Sequence, residues 1–328
     1  MTDNKTIYLP GDALVYGNFF GKNLRNFRIY GLGAISGRHI PHPGDKSWST
    51  YPGWNKEYHT NFGIQWDTMP INVNDGMTNC HFEGFALIDP AFHGITSLTG
   101  SASSKKWHKQ IGWRSNTDMG GIPGVIEDCF FRIQDDGPYI EYGDFRRNTL
   151  WFDVNGAPFR GSYMTRGAWG DGGLTVIEDC DLIYARSFGG GYVIGHGNDD
   201  QGGDSGTYPD GTRNTAQHMV FRNIRVTDPR PERMLFSFTV PDRLTSGISG
   251  IRFENVESRH PPVQGGKYIF EGTAIKPITH LYFDGVTIDG KKWTQSLFND
   301  PSMFQISYTS NLVFRDAPIE APLPEAKK

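Results

Sequence analysis

The chain has 328 residues, with 32 Lys and Arg against 36 Asp and Glu for a net charge of −4, 41 Gly, 20 Pro and 13% aromatic residues. Lys and Arg form no block, which excludes the electrostatic footprint of a nucleic-acid-binding protein, and no apolar run approaches the ~20 residues that span a bilayer. So much Gly and Pro beside so many aromatic rings suits short strands joined by many turns and excludes a helical bundle.

In chain order, Met1-Thr2-Asp3-Asn4-Lys5 has neither the basic nor the apolar region of a secretory signal. A turn residue followed by alternating apolar positions then recurs at residues 24–29, 79–82, 126–131, 177–182, 219–226, 251–256, 281–288 and 311–314. Each copy reads as a strand of period two. The later copies are spaced by roughly thirty residues, about what one three-sided coil of a solenoid plus a loop occupies. The predicted fold is therefore all-β, a right-handed parallel β-helix, with Asn and Asp at the corners bonding backbone groups of the turns. A β-sandwich would instead need tight antiparallel hairpins at shorter spacing. Cys80, Cys129 and Cys180 follow Asn79, Asp128 and Asp179 and read as one position of this repeat, as small inward-facing residues with no disulfide framework and no metal site. Two long insertions, residues 38–61 and 189–213, interrupt the rhythm, and loops of that length usually carry function. No linker marks a second domain, so residues 1–316 are expected to form one catalytic β-helix and residues 317–328 a polar tail.

The chemistry concentrates in Asn116-Thr117-Asp118 and Gln134-Asp135-Asp136-Gly137. Asp118 and Asp135 stand 17 positions apart, so adjacent coils could gather all three carboxyls. Asp135 and Asp136, being consecutive, can reach one cleft only at a strand end or bulge. Crowded like charges separate their pKa values, which gives both the protonated and the ionised carboxyl that glycoside hydrolysis needs. Around them stand Trp107, Trp113, Tyr139, Tyr142, Tyr163 and Trp169, aromatic faces that could cover the apolar side of sugar rings.

Asn116-Thr117-Asp118, then Ile122-Pro123-Gly124, Asp128-Cys129-Phe130 and Asp135-Asp136-Gly137, resemble the central signature of the endo-dextranase and isopullulanase group of glycoside hydrolases, which shares its β-helix with polygalacturonases. Residues 7–11 and 29–37 are similar to the start of that family's helix, and residues 156–158 and 208–211 to later loops. The resemblance implies Asp135 as general acid, Asp118 and Asp136 holding the attacking water, inversion at the anomeric carbon, no cofactor, and an extracellular or periplasmic location. The family usually carries a β-sandwich ahead of its helix, for which this chain has no room before residue 10. Polygalacturonases place Gly-His-Gly and then Arg-x-Lys after the doubled aspartate. Here Gly195-His196-Gly197 lies farther along, and Pro229-Arg230-Pro231 stands where the basic pair would be, so nothing marks a fork for an acidic sugar. That favours a neutral α-glucan such as dextran as the polysaccharide partner, with His196 lining the cleft. Asn198-Asp199-Asp200-Gln201-Gly202-Gly203-Asp204 does not fit an EF-hand loop, and no metal is assigned to it. Two other readings remain open, a β-helix lyase or polygalacturonase-like enzyme on an acidic glycan and a non-catalytic carbohydrate-binding β-helix. Sequence leaves the linkage cleaved and the oligomeric state open.

Overall fold

The computed structural model describes residues 1–40, 69–97, 99–114, 116–139, 143–152, 156–160, 175–185, 192–196, 219–227, 234–240, 247–259 and 266–314. They fall into two compact units, Met1–Asn155 and Gly156–Lys328, each built of stacked parallel strands. The expected right-handed parallel β-helix is the fold of the chain. Among the described residues the only helix is the four-residue Gln295–Phe298, and the only antiparallel pairing joins Thr287–Ile288 to Lys291–Lys292.

In the first unit one wall stacks Thr6–Leu9, Arg28–Gly31, His81–Glu83, Ser103–Lys106, Gly124–Glu127 and Phe145–Arg146 in register. A second wall stacks Leu14–Tyr16, Ala34–Ser36, Ala86–Ile88, Lys109–Ile111, Phe130–Ile133 and Thr149–Phe152. Phe19–Arg25, Ile71–Thr78, Gly100–Ser101 and Ile95–Thr96 form a third. Period-two alternation puts every second residue inside. Phe130–Ile133, for example, buries Phe131 and Ile133 while Phe130 and Arg132 stay partly exposed. In the second unit the inward column Phe221, Phe253, Phe283 and Phe314 is in register, with ring centroids 5.5, 5.1 and 5.0 Å apart and planes within 20°. Each such ring contributes ~1.5–3 kcal/mol by burial, and the stacking of the rings adds to it.

The corners explain the Asn and Asp spacing. Asn4, Asn26 and Asn79 have φ of 57°, 52° and 54° at the corner between the third and first walls, and Asp179, Asn223 and Asn255 have φ of 56°, 53° and 53° at the corner between the first and second. Asn and Asp tolerate this left-handed geometry best among residues with a Cβ. Their side chains bond to one another rather than only to backbone: Asn26 Nδ2 donates to Asn4 Oδ1 at 3.0 Å, and Asn79 Nδ2 to Asn26 Oδ1 at 2.8 Å. At the other corner Asn223 Nδ2 donates to Asp179 Oδ1 and Asn255 Nδ2 to Asn223 Oδ1, both at 2.8 Å. Hence the repeat read from sequence merges two different corners. Cys129 and Cys180 follow the second corner, but Cys80 follows the first. A left-handed residue followed by an inward one serves either corner, so the local pattern is the same. All three cysteines are buried thiols.

Candidate active site

Asp118 lies in the turn that leaves the strand Lys109–Ile111. Arg114 clamps that turn to preceding coils, donating to the carbonyls of Gly37 at 2.7 Å, Ile40 at 2.6 Å and Asp89 at 2.6 Å. Asn116 takes the left-handed conformation, with φ 53°. Thr117 Oγ1 donates to the Arg114 carbonyl at 2.8 Å and accepts from Gln134 N–H at 3.3 Å, tying the turn to the next coil. Backbone bonds complete the seam: Gly94 N–H donates to the Asp118 carbonyl at 2.9 Å, Met119 N–H to the Asp136 carbonyl at 3.1 Å, and Tyr139 N–H to the Gly120 carbonyl at 3.1 Å. Gly121 is required here, because a Cβ on it would fall 2.0 Å from the Tyr139 carbonyl oxygen.

The strand Phe130–Ile133 ends before Gln134, so Asp135 and Asp136 lie past a strand end, as two consecutive carboxyls that reach one site require. Asp118, Asp135 and Asp136 each contribute an oxygen to a group whose members all lie within 4.8 Å of one another, and the residues are 4%, 7% and 3% exposed. Burial, then the charges of Asp135 and Asp136, push the Asp118 carboxyl well above its usual range, against a lowering hydrogen bond from Tyr139. The Tyr139 hydroxyl donates to Asp118 Oδ2, and His93 Nε2 stands 3.4 Å from Asp118 Oδ1. That separation suits an ion pair, yet burial pushes His93 down to about 3 and Asp118 up, so both charges are disfavoured. The contact is that of a neutral imidazole facing a carboxyl. Phe92 stacks on His93 at 3.9 Å between centroids and holds the ring. With ligand oxygens ~2.3–2.6 Å from a bound calcium, the carboxylate spacing would also suit a hard divalent cation.

Of the six aromatic residues expected to line a cleft, Tyr139, Trp107 and Trp113 lie among the described residues. Tyr139, expected as a stacking face, is only 5% exposed and acts through its hydroxyl on Asp118. Trp107 is 60% exposed but occupies the left-handed corner between Ser103–Lys106 and Lys109–Ile111, with φ 51°, separated from Asp118 by the whole of the latter strand. Trp113 is 52% exposed on the Asp118 turn, where Arg132 lies over its ring at 5.3 Å and over Trp151 at 5.5 Å. Tyr142, Tyr163 and Trp169 lie outside the described residues, as do the side chain of His196, which ends the strand Tyr192–His196, and the acidic segment 198–204. His93 was not found by sequence reasoning. Its only local signal is Phe92-His93-Gly94, which has no motif that separates it from a surface histidine.

No family profile and no curated protein matches the chain in sequence. Solved structures do. Dex49A, a dextranase from Penicillium minioluteum, superposes with a TM-score of 0.67 at 20% identity over 94% of this chain and 54% of its own, so the chain spans about half of that protein's length. A polygalacturonase from Erwinia carotovora ssp. carotovora superposes with a TM-score of 0.57 at 14% identity over 94% of this chain and 83% of its own. The likeness is one of fold. At such identities it establishes the parallel β-helix and leaves activity to the side chains of the site.

Proposed function

We propose that this protein is a β-helix glycoside hydrolase that cleaves a polysaccharide, a neutral α-glucan such as dextran, with inversion and without cofactor. The observation that carries the reading is the set of three buried carboxyls drawn from adjacent coils, with their oxygens within 4.8 Å. Such a set separates the pKa values of its members: burial and the two neighbouring carboxylates push that of Asp118 up. The titration steps belong to the set rather than to single residues. By the resemblance of Asp135-Asp136-Gly137 to the doubled aspartate, Asp135 donates a proton to the leaving oxygen, and Asp118 with Asp136 holds and activates water. The Tyr139 hydroxyl orients Asp118, and His93 packs against the same carboxyl. The two solved relatives in fold, a dextranase and a polygalacturonase, support hydrolysis of a glycan. The absence of an Arg-x-Lys pair in the sequence favours the neutral one.

Inversion rests on the resemblance, because the carboxyl oxygens lie closer than the ~6.5–9.5 Å typical of an inverting pair. The anomer released first, read by proton NMR, decides it. The same spacing favours one second reading, a calcium-dependent lyase on an acidic glycan. A glycan panel separates the three possibilities: new reducing ends from dextran support the hydrolase, and an unsaturated product lost with chelator supports the lyase. Retained glycan with neither product supports a binding module. In the hydrolase reading the protein works outside the cytoplasm.

A further inference from the structure

The inward positions of the first and second walls gather three large polar side chains in the coil that leads into Asp118, whereas Asn148, a buried polar residue of the corner between those walls two coils on, has both amide atoms hydrogen-bonded, to Cys129 N–H and the Ile126 carbonyl. Along the first wall the in-register stack reads Ile29, Phe82, Lys105, Ile126, Phe145. On the second wall Gln110 stands between Leu87 and Phe131. His108 fills the corner position that Phe85 and Cys129 fill in the adjoining coils. Lys105, His108 and Gln110 are all 0% exposed. Both ring nitrogens of His108, and Gln110 Oε1, make no hydrogen bond to any described residue. Burying a cation and unsatisfied polar atoms costs several kcal/mol of desolvation, and well-packed apolar side chains of similar volume are often neutral or stabilising in such places. The neighbouring coils hold those apolar side chains. Stability alone therefore does not account for this layer.

Its contacts run to the backbone that presents Asp118. Gln110 Nε2 donates to the Asp118 carbonyl at 2.8 Å, and Lys105 Nζ donates to the Met119 carbonyl at 3.3 Å. The Met119 N–H, in the same peptide as the Asp118 carbonyl, donates to the Asp136 carbonyl. Lys105 Nζ also lies 5.1 Å from the centroid of the Phe131 ring, on the coil of Asp135. The layer has no slack, because a Cβ on Gly94 would come 2.1 Å from Gln110 Oε1 and 2.6 Å from the Met119 carbonyl oxygen.

We propose that Lys105 and Gln110 are positioning residues, buried donors inside the coil that fix the two successive peptides Asp118–Met119 and Met119–Gly120 and so set where the Asp118 carboxyl stands against Asp135 and Asp136. Only the activity readout of this inference rests on the hydrolase reading. The test compares the full chain with Lys105→Met and Gln110→Met in three measurements: reducing-end kinetics on dextran, thermal midpoint, and the titration of the carboxyls by carbon NMR on aspartate-labelled protein. A displaced carboxyl should lower kcat by about 10–100-fold with KM within about twofold and shift the titration of the aspartate set. The midpoint should stay level or rise in Lys105→Met, where a buried charge is removed. If the wild type releases no reducing ends, the hydrolase reading fails, and the titration alone decides the positioning role. If Lys105→Met does not fold, Gln110→Met, which removes no charge, carries the same comparison. Unchanged titration in the folded variants, or activity that falls only in step with the thermal midpoint, overturns the inference.

Discussion

The two units use one architecture for different ends. In the second, one inward column is Phe221, Phe253, Phe283 and Phe314, ring on ring in register. In the first, an inward column interrupts Phe82 and Ile126 with Lys105. A solenoid gains stability by repeating like on like, since each coil buries its apolar row only against its neighbours. Departure from that row is costly wherever it occurs, and here it occurs beneath three clustered carboxyls. The contrast separates residues that hold the stack together from residues that shape the site, and substitution can test the separation from both sides.

The largest effect is expected from Asp135→Asn. Loss of a positioned general acid typically costs ~10²–10⁴ in rate, so kcat on dextran should fall about a thousandfold while the thermal midpoint hardly moves. Retention of most activity would remove Asp135 from that role. In the other direction, Phe253→Ala should destabilise by about 3–5 kcal/mol in urea denaturation, because it opens a cavity against both Phe221 and Phe283. In folded protein it should leave the titration of the aspartates as it was. A change there would mean that stack and site are not separable.

The stack was more legible in the sequence than the site. Asn or Asp followed by alternating apolar residues encodes a left-handed corner and an inward strand, and that local pattern survives without knowledge of which coil lies above. It could not say which corner it marked, which is why Cys80 aligned with Cys129 and Cys180. Asp118, Asp135 and Asp136 were visible because doubled carboxyls ahead of a glycine are rare as a group. Tyr139 looked like any exposed ring, since its bond to Asp118 crosses from one coil to the next. Lys105, within Ser103-Ser104-Lys105-Lys106, reads as a solvated charge. Only its register with Phe82 and Ile126 places it inside.

Around Asp118 the sign of each effect follows from its raised pKa. The Tyr139 hydrogen bond lowers that pKa, so Tyr139→Phe should raise it further. The acidic limb of the pH–rate profile should move to higher pH, with about a tenfold loss of kcat at mildly acidic pH for a lost bond to a charged group. A group whose carboxyl ionises at higher pH folded than unfolded binds more protons in the native state. Stability therefore falls as pH rises from its ordinary value of 3.8 through the native pKa. Asp118→Asn should abolish that fall, and it should melt higher than the wild type at neutral pH as activity is lost. A variant that melts lower would show that Asp118 serves the fold.

The smallest effect expected is at the corners of the second unit, where Asn223 contributes in two ways. Its left-handed φ of 53° suits Asn, and its side chain links Asp179 to Asn255. Asn223→Gly keeps the backbone geometry and loses the two ladder bonds, which should cost about 1 kcal/mol. Asn223→Ala loses the same bonds and also places a Cβ in left-handed space, adding ~1–2 kcal/mol. The difference between the two variants in urea denaturation isolates the backbone contribution. Equal losses would mean that the side-chain ladder, rather than the conformational tolerance of Asn, is what selects this residue at the corner.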